Sequence, residues 1–449
     1  MTKVPRPVTG RFRAIRWGTE GLLIAIMFGL PWTTVNGRQT ILIDVPARKF
    51  DVFGLVIWPE ELYFLWLLLA LGAIALFFFT ALAGRIWCGY ACPQTVFTDL
   101  FVETGRLVEG KHGRPAPWRR ALKHLLYVGI AAVIGFHVVA YFVPPRALVA
   151  RIVNGPAGPP VSAWLLLSAI AWANWTFVRQ TFCVTVCPYA RLQGVMLDND
   201  SLIIAYDAAR GEPRGKRGTT KGDCVDCDLC VAVCPTGIDI RDGLQMECIA
   251  CAQCIDACDG VMARIARPPG LIGYASQAAR DALRPTRFLR PRVAVYAVAL
   301  LALTVTFVTG LARREPLSLR ALRNPTLMYQ RMPDGSVANS YALHIENRDA
   351  KPQRFLVSAE GLQGVKLLIG VNPIAVDPGK LVETRVFVVT APDGLAPGSY
   401  PVTFRVKRET DGRQADERAT FMMPPREGKD SDERDSPAPA GEHAGEKHG

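Results

Sequence analysis

The chain has 449 residues, half of them hydrophobic and a fifth charged, a mixture that suits a few membrane spans joined to soluble parts better than a pure membrane bundle. The formal net charge is +12; excess Lys and Arg fit nucleic acid, anionic lipid or membrane-topology signals, and their placement decides. All 12 cysteines fall in four groups, with none after Cys258, which excludes a disulfide-stapled secreted protein and points to metal in a reducing compartment.

Residues 1–16 form a basic N-terminus carrying Lys3, Arg6, Arg11, Arg13 and Arg16. Five apolar stretches follow along the chain, against the roughly 20 residues needed to cross a bilayer. Trp17–Val35 is the weakest, since it contains Glu20 and a Pro-Trp pair. With its basic flank it could be a signal peptide, but no small-x-small cleavage site follows, so an uncleaved anchor is the reading adopted. Leu62–Gly84 has 23 residues and no charge, Leu125–Val143 has 19 with one His, and Val161–Val178 has 18. Residues 17–180 therefore read as a four-span region, and Val293–Ala312 adds a fifth span of 20 residues.

Lys and Arg alternate between the connecting segments: five in 1–16, three in 36–60, seven in 85–124 and two in 144–160. The positive-inside rule then puts the N-terminus in the cytoplasm. Residues 181–292 return there, with Arg280, Arg284, Arg287, Arg290 and Arg292 before the last span, and five spans leave the C-terminus outside. Topology in a lipid bilayer thus accounts for the basic balance. No segment interleaves aromatics with a basic groove, so no nucleic-acid partner is expected. After the last span, residues 313–423 alternate in character over 338–347, 382–390 and 401–407, with Asp-Pro-Gly-Lys (377–380) and Ala-Pro-Gly-Ser-Tyr (396–400) between them. Short alternating strands with such turns predict a β-sandwich. The charged tail 424–449 reads as disordered.

The cysteines carry the chemistry. Residues 224–235 read CVDCDLCVAVCP and residues 248–258 read CIACAQCIDAC, both C-x2-C-x2-C-x3-C. In two-cluster ferredoxins three cysteines of each run hold one [4Fe–4S] cluster and the fourth crosses to the other. That rule assigns Cys224, Cys227, Cys230 and Cys258 to one cluster and Cys248, Cys251, Cys254 and Cys234 to the second, in a ferredoxin domain at about 220–262. Zinc is the bland alternative, but it prefers two CxxC pairs to four-cysteine runs. Pro235 follows the first run whereas Asp259 follows the second, a departure that would lower the potential of the nearer cluster.

Two further pairs are matched to one another. Cys88-Gly-Tyr-Ala-Cys92-Pro93 closes the second span and Cys183-Val-Thr-Val-Cys187-Pro188 the fourth, 95 residues apart position for position. The membrane region therefore reads as a tandem repeat. On a helix i and i+4 share a face, so each pair could hold one metal or cycle as a dithiol, and the proline marks the helix end. Thiolates select Cu(I) over harder ions. Ordinary buried cysteines are the alternative, weakened by the matched ends. His124 and His137 lie about 20 Å apart along the third span, too far to share a haem, and read as hydrogen-bonded or snorkelling side chains. The basic loop from Arg210 to Arg217 reads as an exposed linker.

GRIWCGYACPQTVFTDLF (84–101), CVTVCPYARLQGVMLDNDSLIIAYDAARGEPRG (183–215) and the two cysteine runs resemble the CcoG/FixG/RdxA proteins, membrane polyferredoxins accessory to cytochrome c oxidase. The resemblance covers nearly the whole chain. It implies a membrane α-helical bundle of about five spans, an inserted α+β two-cluster ferredoxin domain and a C-terminal all-β immunoglobulin-like domain in the periplasm of a bacterial inner-membrane protein. It implies assembly of a C-family (cbb-type) haem–copper oxidase, with copper-handling assembly factors and the oxidase as partners, through reduction of Cu(II) to Cu(I). Cys88, Cys92, Cys183 and Cys187 would then handle copper or its electrons. A looser likeness to quinol-dehydrogenase-type ferredoxin subunits leaves a quinol-linked electron-transfer subunit as the alternative, with His137 or Trp172 lining a quinone pocket. A non-catalytic assembly scaffold is the third reading.

Overall fold

The structure, a computed structural model, describes residues 4–425 apart from 111–115, 156–157, 217–220, 282–284, 324–328, 350, 363 and 392–394. Arg217, Arg284 and the charged tail from Arg426 lie outside the described residues. The chain forms two compact units, residues 1–313 and 314–449.

The helices of the first unit are α1 (Arg11–Gly29), α2 (Leu62–Ala83), α3 (Ile86–Tyr90), α4 (Pro93–Glu109), α5 (Pro117–Val139), α6 (Pro145–Asn154), α7 (Pro159–Ala173), α8 (Pro188–Met196), α9 (Ala208–Gly211), α10 (Leu229–Ala232), α11 (Gln253–Arg264), α12 (Gln277–Asp281) and α13 (Pro291–Ala312). Among the described residues four are long and apolar enough to span a membrane: α2, α5, α7 with its continuation to Val178, and α13. Their outer side chains face no protein. Trp66 and Leu69 on α2 are 67 and 65 % exposed, and Val298 on α13 is 66 % exposed. Such a surface needs lipid around it. The helices pair through small residues. Gly135 on α5 lies where a Cβ would fall 2.4 Å from Ser168 Oγ, and Gly310 on α13 receives the ring of Phe64, the close approach expected of packed spans.

The first apolar stretch forms a helix whose bounds differ from the 17–35 read from sequence. Helix α1 starts earlier, at Arg11, and ends at Gly29. It buries Arg13, Arg16 and Glu20 and is not among the four long apolar helices. A short turn at Leu30–Trp32 follows. The next segment, read only as a loop, pairs β1 (Thr34–Val35) with β2 (Arg38–Gln39) and forms a meander of β3 (Ile41–Asp44), β4 (Lys49–Val52) and β5 (Leu55–Ile57).

Past α8, strand β6 (Leu202–Tyr206) pairs antiparallel with β7 (Ile272–Ser276) from Leu202↔Ser276 to Tyr206↔Ile272. This ribbon closes the cysteine-rich body. Ile204, Tyr206, Leu271 and Ile272 share a core with Cys224, Cys230, Ala250, Ala252 and Ile255. The folded body therefore extends well beyond 220–262, because the two runs alone cannot bury enough apolar surface and need the ribbon as a wall.

The second unit is a β-sandwich. One sheet has the order β12 (Lys366–Ile369), β14 (Leu381–Thr390), β10 (Val337–Asn347), β8 (Leu317–Arg323), with β9 (Gln330–Arg331) also on β10. The other runs β13 (Ile374–Val376), β11 (Gln353–Glu360), β15 (Gly398–Arg408), β16 (Gln414–Met423). Alternation sends Tyr341, Leu343 and Ile345 inward from one sheet to meet Phe355, Phe404 and Phe421 of the other. The three sequence-read strands lie inside β10, β14 and β15.

Candidate metal centre

Each CxxxCP motif begins at a backbone bend, and the two bends share one geometry. Gly84 ends α2 at φ 58°, ψ −130°, and Arg179, 95 residues on, ends the turn after α7 at φ 49°, ψ −130°. One short helical turn then carries the first cysteine: Cys88 in α3 and Cys183 in a π-helical turn, Phe182–Val186. The second cysteine, Cys92 or Cys187, is extended and precedes a new helix whose first residue is the proline. The prolines thus start helices α4 and α8, where a missing N–H costs nothing, as well as ending the turns before them.

The two halves reach across to one another. Gln94 on α4 donates from Nε2 to the carbonyl of Arg179 at 2.9 Å, while Gln193 on α8 donates to the carbonyl of Gly84 at 3.4 Å. Each half therefore fastens the bend of the other, and the exchange gathers the four thiols. Cys88 lies near enough to Cys92, Cys183 and Cys187, and Cys183 to Cys92 and Cys187, for their thiolates to repel one another. Cys88 donates to Gln193 Oε1 at 3.3 Å and Cys183 to Gln180 Oε1 at 3.5 Å. Burial first, then the neighbouring thiols, pushes Cys88 and Cys183 up to about 12, with Arg85 opposing. These thiols hold their protons until a metal displaces them.

The two cysteine runs wrap two separate cavities. One is lined by Cys224, Cys227, Cys230 and Cys258. The other is lined by Cys234, Cys248, Cys251 and Cys254, with Cys230 at the wall between. Around the second cysteine of each run the backbone turns left-handed, at Asp226 and Asp228 (φ 51° and 53°) and at Ala250 and Ala252 (φ 54° and 59°). Side chains with a Cβ adopt that region at a cost, so both loops are held in shape by what surrounds them. Arg241 fixes the first through Asp226 at 2.7 Å and Asp228 at 2.6 Å. Tyr274 fixes the second, donating to the carbonyl of Ala250 at 2.8 Å. Among the described residues no three His, Cys, Asp or Glu side chains already close on one point as a finished metal site.

The second cavity and the CxxxCP motif touch. A Cβ on Gly89, the residue after Cys88, would lie 2.8 Å from the carbonyl oxygen of Ile249 and 2.9 Å from that of Ala250. Arg85 donates to the carbonyls of Met246 and Ala190, tying α3 to both the cysteine loop and α8. Helix α1 locks the same loop from its other side. Its first N–H groups, of Phe12 and Arg13, are capped by Asp256 of α11 at 3.1 and 2.7 Å. Arg13 and Arg16, read from sequence as topology signals, are buried and pair with Asp99 of α4.

Residues 178–277 match a 4Fe-4S dicluster domain model, residues 64–115 a 4Fe-4S binding domain, and residues 307–424 the IG-like fold at the C-terminus of FixG. Over nearly its full length the chain is 37 % identical to protein RdxA of Cereibacter sphaeroides, across 91 % of this chain and 93 % of that one. It is 35 % identical to nitrogen fixation protein FixG of Rhizobium meliloti, across 87 % and 86 %, and 35 % identical to RdxB of Cereibacter sphaeroides, across 86 % and 88 %. The chain belongs to the FixG/RdxA family. Within that family it is a membrane-associated iron–sulfur electron-transfer protein with a C-terminal immunoglobulin-like domain.

Iron–sulfur clusters fit what this FixG/RdxA chain presents. Each cavity offers four thiols, and left-handed residues flank the central cysteine of each loop, the backbone turn that aims N–H groups at an anion. Burial pushes Cys248 and Cys258 up to about 12, so iron binding must displace their protons. The region matched at 64–115 carries Cys88 and Cys92 alone, half of a four-cysteine set.

Several residues that build the site were not singled out from the sequence. Arg85, Gln94 and Gln193 flank the CxxxCP motifs and Gly89 is an unspecified position within the first; the signal that could have found the bends is the 95-residue offset, which matches Gly84 to Arg179. The loop from Arg210, read as a linker, is a clamp among its described residues. Arg210 bonds Asp223 at 2.6 Å, and Gly211 accepts the N–H of Cys224 at 3.3 Å. Asp259 accepts from the N–H of Gly270 at 2.8 Å. His137 accepts at Nε2 from Trp32 at 3.3 Å, bonds Val133 O through Nδ1 and stacks on Phe28 at 4.3 Å.

Proposed function

We propose that this chain is a cupric reductase serving assembly of a C-family (cbb-type) haem–copper oxidase, delivering Cu(I) for copper-handling assembly factors and the oxidase. Cys224, Cys227, Cys230 and Cys258 would hold one [4Fe–4S] cluster, and Cys234, Cys248, Cys251 and Cys254 the other. Each cluster supplies one electron at a time. Cys88, Cys92, Cys183 and Cys187 bind the substrate ion, whose reduction from Cu(II) to Cu(I) takes one electron; soft thiolates favour the reduced product. The observation that carries this reading is the seat of Gly89, next to Cys88, against the Ile249 and Ala250 carbonyls, which supports a short path between the CxxxCP thiols and the second cluster site. Membership of the FixG/RdxA family supports it.

In this reading the N-terminus and the ferredoxin region face the cytoplasm of a bacterial inner membrane and the β-sandwich faces the periplasm. Its support is the alternation of Lys and Arg between the connecting segments. The first turns of α1 then lie with the ferredoxin body at the cytoplasmic face, with buried Arg13 and Arg16 neutralised by Asp99, Glu103 and Glu20, and its last turn reaches the far end of α5, where Tyr141 donates to the carbonyl of Met27 at 2.8 Å.

The test uses anaerobic, reduced full-length protein, Cu(II) and a Cu(I)-specific chromophoric chelator. Wild type should form Cu(I) in step with the electrons stored. A Cys88→Ser/Cys92→Ser variant should form none while keeping its iron. Full activity in that variant would refute the assignment of the thiols, and no Cu(I) from wild type would refute copper as the substrate.

A further inference from the structure

Arg85 is 6 % exposed, yet among the described residues no carboxylate pairs with it. Its two terminal nitrogens go to neutral carbonyls, of Met246 and Ala190, and its Nε has no partner at all. A buried guanidinium without a counter-charge is costly, so the site must supply negative charge when it is complete. The groups around Arg85 say where. It lines one cavity of about 240 Å³ with Cys183, Met246 and Glu247, and a second, smaller one with Cys248, Leu244 and Ala250. Cys88 follows three residues later in the same helical turn. Arg85 thus stands between the thiol quartet and the second cysteine loop.

Among the described residues the first cysteine loop has no such buried cation to spare. Arg241, on its wall, is shared among Asp226, Asp228 and Asp239 at 2.7, 2.6 and 2.6 Å, and Cys227 is exposed to solvent. Arg16, on the far side of the second loop, is likewise spent on Glu20 and Asp99 at 2.8 and 2.9 Å. Among the described residues, Arg85 is therefore an uncompensated buried charge that distinguishes the two loops electrostatically.

We propose that Arg85 is the counter-cation shared by the second cluster site and the CxxxCP thiols, and that its charge raises the reduction potential of the cluster held by Cys234, Cys248, Cys251 and Cys254. Reduction adds one negative charge to a cluster, and net charge nearby sets its potential; a fixed buried cation favours the reduced form at that site and leaves the other little affected. Arg85 acts as a positioning residue for charge, not as a metal ligand. The inference rests on the proposed assignment of the cysteines to two clusters.

The experiment is an anaerobic potentiometric titration of the full-length protein followed by electron paramagnetic resonance, with iron and sulfide content measured on each sample. Wild type should show two one-electron steps at separate potentials. In Arg85→Gln one step should shift to lower potential and the other stay. Arg85→Lys, which keeps the charge, should hold both steps near wild type. Unchanged potentials in an iron-replete Arg85→Gln would overturn the proposal. If Arg85→Gln does not hold its iron, Arg85→Lys decides: full iron with wild-type potentials supports the charge, whereas equal iron loss means that hydrogen-bond geometry is what Arg85 provides, and the proposal falls. Iron content for one cluster only in wild type would instead sink the two-cluster assignment on which it rests.

Discussion

Gly84 and Arg179 stand 95 residues apart and adopt one backbone conformation, φ 58° and 49° with ψ −130° at both. The pair relates the two halves of the membrane region, and each bend accepts a glutamine from the opposite half. At Gly84 the glycine is required twice over: its φ is positive, and a Cβ would fall 2.4 Å from the carbonyl oxygen of Leu202. Gly84→Ala should therefore destabilise the first unit by more than the roughly 1–3 kcal/mol of backbone strain alone. Arg179→Gly relieves strain at the matching bend and should be tolerated. Thermal unfolding in detergent, read on both variants, checks the asymmetry.

Gly89→Ala pushes a methyl group into the Ile249 and Ala250 carbonyls, backbone atoms that cannot swing aside. The second cysteine loop should be displaced and the first left in place. Iron per chain should fall by about half, the content of one of two four-iron clusters. Retention of full iron would show that the loop yields without losing its ligands.

Asp256 caps α1 from a distant part of the chain. Asp256→Ala should remove the cap at about 0.5–2 kcal/mol and release the N-terminus of the helix. Limited trypsin digestion should then cut at Arg11 or Arg13, which the intact cap protects.

How far the sequence disclosed this architecture depends on how local each signal is. Cysteine spacing fixed which eight side chains could ring two cavities, and apolar length marked four of the long helices, because both are properties of contiguous residues. Alternation found β10, β14 and β15 for the same reason. What escaped was long-range. Asp256 capping α1 at Arg13 joins residues 243 apart, and no local pattern announces it. Arg13 and Arg16 looked like topology charges because their partner Asp99 lies in another helix. The start of the first helix escaped on the same ground: a buried Arg16–Glu20 pair lets α1 begin at Arg11, ahead of the apolar stretch. The clamp around Arg210 resembled a linker since its glycines and prolines serve close packing as readily as flexibility.

The carboxyl of Asp223 is held below the usual carboxylate range by hydrogen bonds from Arg210 and then Arg267. A depressed folded-state pKa adds stability that is fully present above the unfolded value, about 3.9, and is lost as pH falls through the folded value. Asp223→Asn should therefore weaken the clamp by the same amount at every pH from about 8 to about 5, and the gap to wild type should close only in stronger acid. Proteolytic susceptibility across pH, compared between the two proteins, measures it.

In the β-sandwich, Phe404 is fully buried and meets Tyr341 edge-on, with centroids 5.0 Å apart. Phe404→Ala should cost about 3–5 kcal/mol. Residues 314–425 expressed alone should give a single cooperative melt that this substitution lowers sharply.

The central claim is that electrons stored at the cysteine-lined cavities reach copper through the four CxxxCP thiols. The direct measurement is anaerobic rapid mixing of the dithionite-reduced, desalted full-length protein with Cu(II), following cluster absorbance and Cu(I) together. The account predicts reoxidation matched one for one by Cu(I) in wild type, and reduced clusters that persist in the Cys88→Ser/Cys183→Ser variant. Equal reoxidation rates in the two proteins, with both clusters present, would contradict it.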